Sequence, residues 1–148
     1  MNAKMPKRAA ALIVREGKIL LMHRYWRGRE YYVFPGGGVE KDETPEMAVV
    51  RELKEEFCID IEIKQELFSV LNDHSTERIP PRFEHYYLVA NFSGTPKLGG
   101  HEKEISSEDN RFEPAWVQLF DLDLLPLVPE VAKDKLLEII KTGSLDAS

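Results

Sequence analysis

The sequence predicts a single mixed α/β domain of the α+β type spanning residues 1–148, with a mixed sheet held between two helices. Three observations lead there. A chain of 148 residues with 43% hydrophobic and 31% charged residues has the composition of an ordinary globular domain. That length suffices to bury roughly 68–70% of the unfolded surface. Two segments, Pro45 to Phe57 and Pro129 to Lys141, carry a helical period, with strand-like runs before and after them and no repeat or linker between.

Arg8 to Arg15 and Lys18 to Tyr25 flank the turn signal Glu16-Gly17 and read as a β-hairpin. Trp26 to Glu30 is a polar loop carrying Arg27 and Arg29. Tyr31 to Phe34 is a short strand, kept extended by Pro35, that delivers the chain to Gly36-Gly37-Gly38. Thr44 then caps a helix whose first position suits Pro45. At 100° per residue Val49, Val50, Leu53 and Phe57 form an apolar stripe. Glu52, Glu55 and Glu56 fall on the opposite arc, with Ala48 beside them.

Ile59 to Leu71 holds one or two strands, and Asn72 to Pro81 is a loop. Phe83 to Phe92 is the longest strand. Tyr86, Leu88, Ala90 and Phe92 face one way and Phe83, Tyr87 and Val89 the other, the pattern of a central strand. Ser93 to Arg111 has no period, and its acids Glu102, Glu104, Glu108 and Asp109 make it a candidate lid. Ala115 to Leu119 is a last strand anchored by Trp116. The final helix turns Val131, Leu136, Leu137 and Ile140 inward, with Gly143 just past its end.

The formal net charge is −6 and the pI near 5.3. A broad phosphate-neutralising face for a nucleic-acid polymer is disfavoured, so a phosphate substrate would depend on local arginines and metal. Cys58 stands alone, which excludes an internal disulfide and suits a reducing compartment. The basic run Lys4, Lys7 and Arg8 precedes only six residues, Ala9 to Val14, before Arg15, too few for a signal-peptide core. No stretch approaches a membrane span. A cytoplasmic location without membrane association is expected. The oligomeric state is open, a homodimer included.

Three carboxylates at i, i+3 and i+4 repel by roughly 0.2–0.5 kcal/mol per pair, so helix stability alone would not select them. As hard oxygen donors beside a glycine turn they suit Mg²⁺ or Mn²⁺, whereas a lone ExxEE reads as a solvated acidic face. They sit inside a longer pattern that resembles the Nudix box, G-x5-E-x7-R-E-U-x-E-E-x-G-U. Gly37, Glu43, Arg51, Glu52, Leu53, Glu55, Glu56 and Ile59 fill eight of its nine fixed positions over 23 residues. Cys58 stands where the family has its second glycine, and Asp42 where many members have another. Both positions are expected to need a left-handed backbone, which costs a cysteine on the order of 1 kcal/mol. The resemblance covers Tyr32 to Ile59 closely and the remainder only as strand order and length.

The resemblance implies a Nudix-like α-β-α sandwich with a mixed central sheet. It also implies metal-dependent hydrolysis of a small nucleoside diphosphate linked to a group X, with water attacking phosphorus. Nucleoside triphosphates, including oxidised ones, ADP-ribose, nucleotide sugars and dinucleoside polyphosphates all fit. Glu52, Glu55, Glu56 and the Gly37 carbonyl would be metal ligands, one glutamate serving as general base, with the choice among them undecided. Arg51 would hold a glutamate of the box in place. It lies about 100° from Glu52 on the helix, too far to stack over it, but reaches back toward Glu43 or across to Glu55. Some family members add an acid from the loop before the last strand; Glu108 has the expected spacing, with Glu104 and Glu113 as rivals.

Arg24, Arg27 and Arg29 offer guanidinium forks to phosphate, Arg24 leading, although a solvated hairpin loop explains them nearly as well. Tyr32, Tyr86 and Trp116 are candidates to stack a base or to fill the core. His23, His74, His85 and His101 lack paired zinc spacing. Two rival functions remain: a Nudix-like sensor that binds a nucleotide without cleaving it, and an acidic interaction domain indifferent to metal.

Overall fold

The computed structural model describes residues 5–73, 80–143 and 145. The chain runs β1 (Lys7–Leu12), β2 (Val14–Arg15), β3 (Lys18–Trp26), β4 (Arg29–Val33), β5 (Gly36–Gly38), α1 (Pro45–Phe57), β6 (Asp60–Asn72) and β7 (Arg82–Ser93). It continues through α2 (Gly100–Ile105), β8 (Asn110–Gln118), a 3₁₀ turn (Leu119–Leu124), β9 (Leu127–Val128) and α3 (Glu130–Lys141). Two mixed sheets result. One has the order β5-β1-β7-β6, with β1 and β7 parallel; the other has β2-β3-β4-β9, with β8 on the far side of β3. Where the sequence implied one central sheet, two share the layer between α1 and α3.

The reason lies in β1. Ala9 and Ala11 bury into the core under α1, and Ala10 and Leu12 into the core under α3. A strand apolar on both faces belongs in the middle of a sheet. The expected Arg8–Arg15 hairpin therefore survives only as Val14 and Arg15 pairing with Ile19 and Lys18. The rest of the strand crosses to the first sheet and lies beside β7, which is central as expected.

Other expectations shift for local reasons. Trp26 pairs with Arg29, which reduces the polar loop to the two-residue turn Arg27-Gly28, both with positive φ (45° and 83°). Phe92 packs with Tyr87 and Val89, not with Tyr86, because the register shift between Glu62 and Ile63 leaves Ala90 unpaired and reverses the alternation. Trp116 is 37% exposed and touches Phe92 at the surface instead of anchoring a core. The segment from Ser93 to Arg111 contains α2 and the start of β8. Within the expected Asn72–Pro81 loop, residues 74–79, His74 among them, lie outside the described residues, as does Lys4.

Helix α1 begins as its sequence dictates: the Met47 N–H donates to Thr44 Oγ1 at 3.1 Å, with Pro45 in the first turn. Its buried residues are Ala48, Val49, Leu53 and Phe57, whereas Val50 is 36% exposed. It ends on Cys58 at φ 59° and ψ 33°, and Asp42 has φ 65°, so both glycine-like positions are left-handed. Cys58→Gly is accordingly expected to be neutral or to stabilise by up to ~1 kcal/mol in a urea melt. A loss above ~1 kcal/mol would mean that packing of the thiol outweighs the backbone gain.

Candidate active site

The glycine strand and α1 meet edge to edge. Gly37 pairs with Ala9 of β1, and a Cβ at Gly37 would overlap the Glu52 carboxyl group. A side chain at Gly37 would have to displace that carboxyl group from the glycine strand.

Arg51 ties the acids of α1 to the loop before it. Its Nε and Nη2 donate to the two oxygens of Glu43 at 2.8 and 3.0 Å, a bidentate fork. Nη2 also reaches the Gly38 carbonyl at 3.1 Å, and Nη1 donates to Glu52 at 2.9 Å and Glu55 at 3.2 Å. The wheel argument against an Arg51–Glu52 contact thus fails, because the long side chain folds along the helix and bridges the angle. Glu43 also accepts from the Glu40 N–H at 3.0 Å. The Arg51 guanidinium, and after it that N–H, hold the Glu43 carboxyl below its usual range.

Glu52 and Glu56 do not lie on the solvent face. On the wheel they stand about 40° and 80° from Ala48, between Ala48 and Val49, inside the buried arc. The Glu52 side chain is only 12% exposed. Burial pushes the Glu56 carboxyl up to about 9, with Glu52 and then Glu102 adding to the rise.

The third acid, Glu102, comes from α2. The Lys97 and Gly99 N–H groups donate to the Phe57 and Glu56 carbonyls at 3.0 and 2.9 Å, so the strap before α2 caps the end of α1. A Cβ at Gly99 would stand 2.7 Å from the Glu55 carbonyl. Glycine there allows the contact that brings Glu102 to Glu56. Among the described residues, Glu102 Oε2 is buried without a hydrogen-bond partner, the state of an acceptor facing a place for a cation.

These acids line a cleft of about 320 Å³ that also includes Arg8, Arg24, Gly37 and Phe112. A larger cavity of about 520 Å³ adjoins it, lined by Asn72, Arg82, Tyr86, Val128 and Pro129. The two share Arg8, Val33 and Phe34. Beneath the larger one lies Glu84, fully buried. It accepts from Tyr86 Oη at 2.5 Å, Asn72 Nδ2 at 3.0 Å and Arg82 Nε at 2.7 Å. Burial alone would raise its pKa, but those donors outweigh burial and lower it.

Of the expected site residues, Gly37, Glu52, Glu56 and Arg24 line the cleft. Arg24 donates to the Arg111 carbonyl at 2.8 Å, its guanidinium 3.6 Å above the Phe112 ring. Glu43 and Arg51 stand behind the cleft. Glu55, 55% exposed, is bound to Arg51 and does not line the cleft. Arg27 is held at the hairpin tip over Trp26, away from the cleft, and Arg29 lies over Tyr31. Tyr32 stacks on His23 at 4.6 Å and packs into the core instead of facing the cleft. Tyr86 is a core aromatic that also walls the larger cavity.

Glu108, Glu104 and Glu113 are all exposed and absent from the cleft wall. The acid of this segment that lines the cleft is Glu102 and not Glu108; residues coiled into α2 advance far less along the chain axis than extended ones. The signal for it was the pair Gly99-Gly100 just ahead. Arg8 carried no signal beyond a basic N-terminal run.

The family model described as NUDIX domain matches residues 5–137. Over 103 residues the chain is 37% identical to the CTP pyrophosphohydrolase of Escherichia coli (strain K12), covering 68% of this chain and 73% of that protein. Over 137 residues it is 34% identical to an 8-oxo-dGTP diphosphatase of Haemophilus influenzae, covering 90% of each. The solution structure of the E. coli ORF135 protein aligns with a TM-score of 0.74 and 26% identity, over 97% of this chain and 96% of that one.

Proposed function

The chain belongs to the NUDIX family, and from that premise we propose that it is a metal-dependent pyrophosphohydrolase cutting a phosphoanhydride bond in a small nucleoside diphosphate-X substrate. The observation that carries this reading is the convergence of Glu52, Glu56 and Glu102 on one cleft, one buried carboxylate oxygen without a partner. Two relatives named for nucleoside triphosphates make that class the first to try.

The donor set fits Mg²⁺ or Mn²⁺. Glu52, Glu56, Glu102 and the Gly37 carbonyl are hard oxygen donors. Among the described residues no three or more His, Cys, Asp or Glu side chains are placed to hold an ion by themselves, so the ion would also need substrate oxygens and water as ligands. When bound, the ion would neutralise the diphosphate and lower the pKa of attacking water. Arg51 and Glu43 keep Glu52 in its rotamer. Arg24, fixed over Phe112, presents its remaining N–H groups to phosphate. The water oxygen forms a bond to phosphorus, the bridging P–O bond breaks, and a carboxylate of the cluster takes the water's proton.

Incubation with a panel of nucleoside triphosphates, ADP-ribose, nucleotide sugars and dinucleoside polyphosphates in Mg²⁺ tests the proposal. Release of phosphate or pyrophosphate, or of a nucleoside monophosphate, from at least one substrate is expected, and is lost in EDTA. Silence across the panel with retained nucleotide binding would favour a sensor.

A further inference from the structure

Arg8 is the charged residue common to both cavities. In the first sheet it stands opposite Gly38 on one side and Glu84 on the other. Its Nη2 donates to the Phe34 carbonyl at 2.8 Å, which fixes the plane of the guanidinium against the neck between the cavities. Glu84 feels the charge of Arg8 but takes its hydrogen bonds from Tyr86, Asn72 and Arg82. Among the described residues no other hydrogen bond and no ion pair engages the Arg8 side chain, so its other guanidinium N–H groups are unspent.

We propose that Arg8 is a substrate-binding residue that grips the phosphate joining a nucleoside in the larger cavity to the reacting phosphorus in the acid-lined cleft. The inference rests on the proposed hydrolase activity and adds a residue to it. A substrate of that class has a flat head and a polyanionic tail, and the tail must enter a cleft walled by Glu52, Glu56 and Glu102. A cation at the neck offsets that repulsion where the chain of the substrate crosses. The planar fork of arginine engages two phosphate oxygens at once, which a lysine cannot reproduce. Arg24, on the Phe112 side, faces the same cleft without touching the larger cavity. The two arginines therefore divide the tail: Arg8 holds its nucleoside end and Arg24 its free end.

Steady-state kinetics of Arg8→Gln and Arg8→Lys on the best nucleotide of the panel tests this, with a urea melt of each variant. Arg8→Gln is expected to raise KM by about tenfold or more with kcat within about threefold, the signature of lost binding common to ground and transition states. Arg8→Lys, which keeps a charge beside Glu84 and so guards against simple unfolding, is expected to recover part of the affinity but not all. Arg15→Gln, a surface cation outside both cavities, should match the wild type. A folded Arg8→Gln protein with KM within about twofold of wild type, or one that loses only kcat, overturns the role of Arg8 while leaving the hydrolase reading intact. A wild-type protein inactive on the whole panel overturns both.

Discussion

Glu56→Gln is expected to lower hydrolysis by ~10²–10⁴, the range for losing a general base, and further if metal affinity falls too. Stability in EDTA should match wild type near pH 4–5 and exceed it by ~1 kcal/mol or more at neutral pH. On a solvated acidic face, removing one charge would relieve repulsion and stabilise slightly. The structure predicts a larger gain: burial, Glu52 and Glu102 hold the Glu56 carboxyl up to about 9, so the metal-free folded state keeps it neutral near pH 7 while the unfolded chain ionises it, a difference that glutamine does not carry. The sign of the pH dependence follows. A raised folded pKa means the folded state binds the proton more tightly, so this contribution to stability is complete below the ordinary carboxylate range. It is lost as pH rises toward 9. Urea melts in EDTA across pH 5–9 should therefore show a downward slope in wild type that is shallower in Glu56→Gln. Activity within about tenfold of wild type at saturating Mg²⁺ would contradict a role for Glu56 as general base or metal ligand.

Arg51→Met should damage both fold and chemistry. The guanidinium is the common partner of Glu43, Glu52 and Glu55, and of the Gly38 carbonyl. Glu43 and Glu52 are only 11% and 12% exposed. Removing their cation leaves two mostly buried carboxylates unpaired. The expected loss is about 2–3 kcal/mol, below the ~3–5 kcal/mol of a fully buried pair because Arg51 itself is partly solvated. The freed Glu52 should also cost ~10–100-fold in activity, as loss of an orienting partner does at metal sites. Arg51→Lys restores charge but not the fork, and should recover stability more than activity. Arg51→Met within about 0.5 kcal/mol of wild type would reduce the network to an ordinary surface pair.

Legibility in the sequence depended on whether a feature was local. The run from Gly37 to Ile59 encodes a glycine turn, a capped helix and a fixed spacing of acids, all set by nearby residues. It could be read directly, down to the left-handed Cys58. The inward directions of Glu52 and Glu56 were also present in the spacing, between Ala48 and Val49, but their charge masked them. A wheel coloured by hydrophobicity assigns charged residues to solvent, whereas α1 lies with its buried arc across both core and cleft. Arg8 acquires its meaning from Gly38 and Glu84, far off in sequence and brought to either side of it by strand pairing. Glu102 and Glu108 differ only in how the intervening chain coils, and no short-range period announced α2. The hairpin assigned to Arg8–Arg15 failed for a related reason: the turn at Glu16-Gly17 was visible, but the pull of β7 on β1 was not.

The most direct measurement of the central claim is a Mn²⁺ titration followed by electron paramagnetic resonance, on the wild type and on Glu102→Gln and Glu108→Gln. The cleft predicts Mn²⁺ binding by the wild type, weakened by about 10–100-fold or more in Glu102→Gln, and unchanged in Glu108→Gln. Equal binding by wild type and Glu102→Gln, with the loss falling on Glu108→Gln, would contradict the site described.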